Sequence, residues 1–286
     1  MKVYDCCPFW IENDLFEIRL NQHWNFVDKF IVVEAGETHT GIAKPFNFDH
    51  ARFAPYSSKI VYAKFDSFEQ EMANHPELID ENTFSDRGSN KTSIDWARDS
   101  FQTNYTVKVL RDIGAEPNDI AYISCCDEIL NESAFTVSTP VLESENNAVL
   151  MFRYWLYAYK FNLLSKHWKD ADTSGLMSTF AVFDKKLPGT IREHRMCTHI
   201  VDDAGWHFTY MDNSGGEQVL AKHRSWAHSR DVIAGEKRKF DYDENSLHEA
   251  VSHVIESYKV QKVDLSPTTH PTYLLQNLNK FTDYIL

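Results

Sequence analysis

Asp119-Ile-Ala-Tyr-Ile-Ser-Cys-Cys-Asp-Glu-Ile-Leu130 is the stretch whose reading decides the fold. Its apolar run, Ile120 to Ile123, stops abruptly, and Asp127-Glu128 follow after a short polar link. In an open α/β sheet, ligands bind just beyond the carboxyl ends of the parallel strands. An acid at that place can hold a divalent cation, and the cation can hold a diphosphate. The plainer alternative is that Asp127-Glu128 cap and charge the first turn of a helix.

The flanking sequence supplies the rest of such a sheet. Met1 to Asp5 reads as a short strand, and Asp14 to Trp24 as an amphipathic helix with Leu15, Ile18, Leu20 and Trp24 near helical spacing. Glu17, Arg19 and Gln22 fall on its other faces. Lys29 to Glu34 and Lys59 to Lys64 are β-branched runs, the pattern of strands covered on both faces. Strand, helix, strand, loop, strand predicts a parallel sheet with crossover helices. Phe65 to Ser93 is polar and reads as loop, Ser93 to Ile113 as a helix, and Ala148 to Leu164 as one or two strands. Asp243 to Val260 carries the clearest helical stripe, with Ser246 and Glu249 in capping-box spacing. Pro267 and Pro271 then open a C-terminal tail.

Composition narrows the classes. The 286 residues are 43% hydrophobic and 25% charged, ordinary for a globular chain. Aromatic residues reach 14%; a carbohydrate site would use some of these rings, and a bulky core most of them. The net charge of −13 opposes non-specific binding to nucleic acid or anionic lipid. No run of about 18 apolar residues predicts a membrane span, and the N-terminus has no signal-peptide pattern. A cytoplasmic chain is therefore expected. The five cysteines lack CxxC spacing, which suits free thiols in a reducing compartment.

The order of several short blocks carries a resemblance. They are Tyr4-Asp-Cys-Cys-Pro-Phe-Trp-Ile-Glu-Asn-Asp-Leu-Phe-Glu-Ile-Arg-Leu20, Val27 to Glu34, Thr38-His-Thr-Gly41, Lys44-Pro45, Trp96, Ser124 to Ile129, Gly205-Trp-His-Phe-Thr-Tyr210, and Lys222 through His228. In this order, across nearly the whole chain, they resemble glycosyltransferase family 17, the family of the β-1,4-mannosyl-glycoprotein N-acetylglucosaminyltransferases. The resemblance implies an α/β, GT-A-like fold: a mixed, mostly parallel, Rossmann-like sheet flanked by helices. Residues 1–240 would form that domain, and residues 241–286 a C-terminal helix and tail packed on it. It also implies a UDP-sugar donor, most of all UDP-GlcNAc, a glycan or other hydroxyl acceptor, inversion at the anomeric carbon, and a divalent metal, Mn2+ or Mg2+.

Carried over position by position, the resemblance places Asp127 at the second acid of an Asp-x-Asp-Glu-Ile-Pro block, where it would bind the metal. Cys125 stands at the first acid and Leu130 at the Pro. Upstream the family has Trp, an acid three residues on, and Arg four beyond; Trp96 and Asp99 match, but Thr103 takes the Arg position, with Arg98 one turn away. A late histidine, His207 or His228, would join Asp127 on the metal. Glu128 is the carboxylate placed to take the acceptor proton, or else a structural acid accepting from backbone N–H groups. Asp5, Glu34, Thr40, Lys44, Arg98, Cys125 and Trp206 form the expected donor-binding set. Each has an ordinary alternative: a strand-end acid, a surface Lys, a core Trp. The departures at Cys125 and Thr103 leave an altered donor or a catalytically silent nucleotide-sugar-binding protein as alternatives. Sugar transfer to DNA bases is opposed by the acidic charge.

Overall fold

The computed structural model describes residues 1–79, 93–167, 174–227, 232–233, 236–237 and 246–286. The chain is a mixed α/β protein whose two mixed sheets are flanked by helices. In the larger sheet β1 (Val3–Phe9), β2 (Lys29–Ala35) and β3 (Ile60–Phe65) lie parallel and in sequence order. β4 (Ile120–Ile123) pairs parallel with the other side of β1. Beyond it lie β9 (Ser174–Thr179), β6 (Val149–Phe152) and β10 (His199–Val201), and β9 runs antiparallel to both neighbours.

Among the described residues the α-helices are α1 (Asn13–His23), α2 (His50–Phe53), α3 (Phe68–Asn74), α4 (Ser93–Asp112), α5 (Glu132–Ser144), α6 (Phe180–Lys185), α7 (Pro188–Glu193), α8 (Glu217–Ser225), α9 (Leu247–Ser257) and α10 (Thr272–Gln276). α1 and α5 cover one face of the larger sheet, and α4 covers the other. Side chains alternate across a strand. Cys7 and Phe9 of β1 and Phe30 and Val32 of β2 therefore meet Phe16 and Leu20 of α1. Tyr4, Cys6, Ile31 and Val33 meet Phe101 and Leu110 of α4. Most of the aromatic excess goes into this packing. Phe16 stands edge-on to Phe9, Phe30, Phe48 and Phe53 at centroid separations of 6.3, 6.3, 5.7 and 5.0 Å.

The smaller sheet has the order β14 (Val260–Lys262), β8 (Leu163–Ser165), β7 (Trp155–Ala158), β11 (Gly205–Thr209), β5 (Glu128–Leu130). A two-residue ribbon pairs β12 (Val232–Ile233) with β13 (Glu236–Lys237). The stretch expected to hold one or two strands thus holds three, because the chain leaves the larger sheet after Phe152 and enters the smaller one at Trp155. The tail packs on this second sheet, where Leu274, Phe281 and Tyr284 join Tyr157, Phe161 and Phe208.

That tail also changes the reading of α1. Tyr273 and Lys280 both reach Glu17, and the Tyr284 hydroxyl donates to Asp14 Oδ2 at 2.7 Å. Covered on both sides, α1 buries Glu17, Arg19 and Gln22 as well as its apolar residues. Two further differences are local. α3 lies inside the stretch read as loop, anchored by buried Phe68. Ser246 precedes α9, but its side chain makes no capping bond, and the expected start at Asp243 lies outside the described residues. Among the described residues no helix is long and apolar enough to cross a membrane.

Candidate active site

The larger sheet grows in one direction from β1 through β2 to β3, and in the other from β1 to β4. Loops leaving β1 and β4 therefore diverge, and such a switch point leaves a crevice at the carboxyl ends of the strands. A cavity of about 510 Å3 lies there. Its walls include Trp10 and Glu12 after β1, the 125–128 turn after β4, Arg192 of α7, His207 of β11 and Lys222 of α8. That volume suits a small-molecule ligand.

Asp127 sits in this wall, with only 6% of its side chain exposed. Lys222 Nζ donates to Asp127 Oδ2 at 3.0 Å, and His207 Nε2 lies 3.6 Å from Oδ1. Burial alone would raise the Asp127 pKa; Lys222 and His207 outweigh it and hold the carboxyl well below the usual range. The pairing follows from β5 and β11. They run antiparallel with His207 opposite Glu128, and Phe208 N–H donates to the Asp127 carbonyl at 2.9 Å. Gly205, at φ +146°, permits that closeness, because a Cβ there would come within 2.1 Å of the Ile129 carbonyl oxygen.

Glu128 is turned inward from the same stretch, and its Oε2 accepts from Cys125 N–H at 3.1 Å. Its Oε1 is buried and accepts no hydrogen bond, with Arg192 Nη2 at 3.6 Å. Arg192 Nη2 also donates to Cys125 Sγ at 3.3 Å. Burial raises the Cys125 pKa despite the Arg192 charge, so the thiol stays protonated. Glu12 completes the rim; Trp10 and Ile11 N–H groups donate to its Oε2 at 2.9 and 3.0 Å, and burial raises its pKa.

A buried ionic cluster fixes the turn from below. Arg19 donates from Nη1 to the Cys125 carbonyl at 2.6 Å and to the Glu128 carbonyl at 3.0 Å. Its Nε and Nη2 bond the Asp5 carboxylate. His23 Nδ1 lies 2.6 Å from Asp5 Oδ2, and its Nε2 faces the Leu130 carbonyl at 3.0 Å. Burial would raise the Asp5 pKa, but Arg19 and His23 bring it from 3.8 to about 2. The folded value lies below the unfolded one, so Asp5 stabilises the fold above pH 4 and loses that contribution as pH falls toward 2. The shift is worth about 2 kcal/mol. Denaturant titration should show the stability gap between wild type and Asp5→Asn narrowing by about that amount between pH 5 and pH 2. A constant gap would disprove the assignment.

The structure gathers some of the expected residues and disperses others. Asp127, Glu128, Cys125, His207 and Lys44 line the cavity, as do Trp96, Asp99 and Thr103 of α4. Asp5 instead lies beneath it in the cluster just described. Glu34 points into the α1 face of β2 and is fully occupied: Lys44 Nζ and Asn47 N–H bond Oε1, while Phe48 N–H and the Tyr62 hydroxyl bond Oε2. Arg98 Nη1 donates to the His39 carbonyl at 3.1 Å, beside Gly41. The Thr40 hydroxyl donates to the Arg224 carbonyl at 3.0 Å. Trp206 cannot share the cleft with His207, since adjacent strand residues face opposite ways. Its ring joins the second core and its Nε1 donates to the Thr269 carbonyl. His228 lies outside the described residues.

Lys222, Glu12 and Arg192 were not among the site residues expected from the sequence. Sequence order hides Lys222, which lies 95 residues from the carboxylate it pairs with. The only available signal was its place in a block that also holds Ser225 and Trp226, both in the cavity wall.

A crevice at the strand ends, where Asp127, His207, Lys222 and Arg192 meet in one wall, defines an α/β protein with a charged site of small-molecule size. Comparison with known families makes the class specific. Glycosyltransferase family 17 matches residues 1–286, and the chain belongs to that family. It is therefore a glycosyltransferase. A search of curated proteins finds no match.

Proposed function

We propose that this glycosyltransferase has a GT-A-like architecture and moves a sugar from a nucleoside-diphosphate donor to a hydroxyl acceptor such as a glycan, with inversion. UDP-GlcNAc is the donor suggested by the family resemblance. The observation that carries this reading is the convergence of Asp127, His207, Lys222 and Arg192 on one crevice at the switch point. Such a site can hold a diphosphate, the leaving group whose charge must be neutralised as the glycosidic bond breaks.

Asp127 Oδ1 and His207 Nε2 are 3.6 Å apart, near enough for one ion to touch both. A carboxylate with an imidazole fits a divalent ion such as Mn2+ in donor type. No group of three or more such donors occurs among the described residues, so diphosphate oxygens and water would complete the shell. When bound, the ion would act as a Lewis acid on the diphosphate. Arg192 supplies a second donor to the same anion, and Glu128 Oε1 is an ionisable acceptor in the wall, already oriented through Oε2. We assign Glu128 the acceptor proton on that ground.

A silent nucleotide-sugar-binding protein is the second reading, favoured by the neutral Cys125 thiol where the family places an acid. Incubation with UDP-GlcNAc and Mn2+ separates the two. Slow release of free UDP is expected; saturable binding without turnover would establish the silent reading instead, and no binding of UDP under any metal condition would end both.

A further inference from the structure

Asp127 divides its two oxygens between different partners. Oδ1 faces His207, and Oδ2 accepts from Lys222 Nζ. The ammonium also stands 5.1 Å from the centroid of the Tyr210 ring, inside the cavity wall. A buried carboxylate that keeps its charge needs a counter-charge beside it, and Lys222 supplies one before any ligand arrives. A divalent ion taken up by Asp127 and His207 would add positive charge next to that ammonium. Like charges close together in a partly buried site oppose one another. A diphosphate reverses the balance, because both cations can then share its oxygens.

We propose that Lys222 is a stand-in cation: it neutralises Asp127 in the empty cleft and turns to the diphosphate of the donor once a divalent ion takes the carboxylate. This rests on the donor and metal reading given above. Lys222 is suited to the exchange. Its ammonium is a compact charge on a flexible four-carbon stem, and 21% of its side chain is exposed, so it can swing without moving α8. The consequence is a linkage. The metal alone binds weakly, the donor strengthens it, and by reciprocity the metal strengthens the donor.

Electron paramagnetic resonance of free Mn2+ tests this on the full chain, with and without UDP, for wild type, Lys222→Gln and Lys222→Arg. Without UDP, Lys222→Gln should bind Mn2+ about tenfold more tightly than wild type, while at saturating Mn2+ it should bind UDP about tenfold more weakly. Lys222→Arg keeps the charge and should keep the weak affinity for Mn2+ alone. Equal or weaker Mn2+ binding by Lys222→Gln, with UDP binding by wild type intact, overturns this inference and leaves the donor reading standing. Should Lys222→Gln not fold, wild type still decides: Mn2+ affinity that does not rise with UDP overturns the exchange. A wild type that binds Mn2+ but no UDP removes the donor reading itself.

Discussion

Asp127→Ala is expected to abolish Mn2+-dependent binding of UDP and to lower sugar transfer on the order of 10^3-fold, the scale of losing a group aimed at transition-state charge. Both oxygens of Asp127 are engaged, one toward His207 and one with Lys222. Truncation removes the carboxylate from the proposed metal pair and leaves the Lys222 ammonium without its hydrogen-bonded partner. The fold has less at stake, since the backbone bond from Phe208 N–H to the Asp127 carbonyl survives. Loss of ligand binding with a denaturant midpoint near that of wild type is therefore the expected pattern. Asp127→Asn should fall between, because one oxygen remains as a neutral and weaker ligand while the charge is gone. Calorimetric titration of UDP at several Mn2+ concentrations reads this directly. UDP affinity in Asp127→Ala that keeps its full Mn2+ dependence would show that the ion, if it binds, binds elsewhere.

The parallel centre of the larger sheet was legible because β2 and β4 are covered on both faces. Phe30 to Val33 and Ile120 to Ile123 are apolar runs, and such runs announce themselves without knowledge of their partners. The turn at Asp127 was legible for the same reason, since an apolar run ending on acids marks a strand end. Which acids of β1 and β2 face the cleft was not legible. Asp5 and Glu34 share the parity of residues that face α1, and the sequence does not say which face of β1 or β2 the helix will cover. Parity does settle one pair in advance: Trp206 and His207 are neighbours in a strand, so choosing His207 for the cleft sends Trp206 to the core. The all-round burial of α1 was hidden by distance, because the tail that covers Glu17 comes from the far end of the chain.

Arg19→Met should destabilise the chain by about 3–5 kcal/mol, the cost of breaking a buried pair by removing one partner. Arg19 and Asp5 are both fully buried, so the variant leaves a carboxylate with only His23 beside it. The Cys125 and Glu128 carbonyls lose their guanidinium donor at the same time. A double variant, Asp5→Leu with Arg19→Met, removes both charges and should recover much of the lost stability, because apolar replacement of a whole buried pair is often neutral. It should not recover UDP binding. The guanidinium ties the turn carrying Asp127 and Glu128 to the helix beneath it, and a methionine of similar length cannot donate to either carbonyl. Tyr122 still donates to the Glu128 carbonyl at 2.9 Å, so the turn should loosen rather than unfold. Stability restored together with UDP affinity would mean that the cluster only balances its own charges. Stability restored while UDP affinity stays low would show that the Arg19 hydrogen bonds hold Asp127 and Glu128 in the geometry that binds the donor.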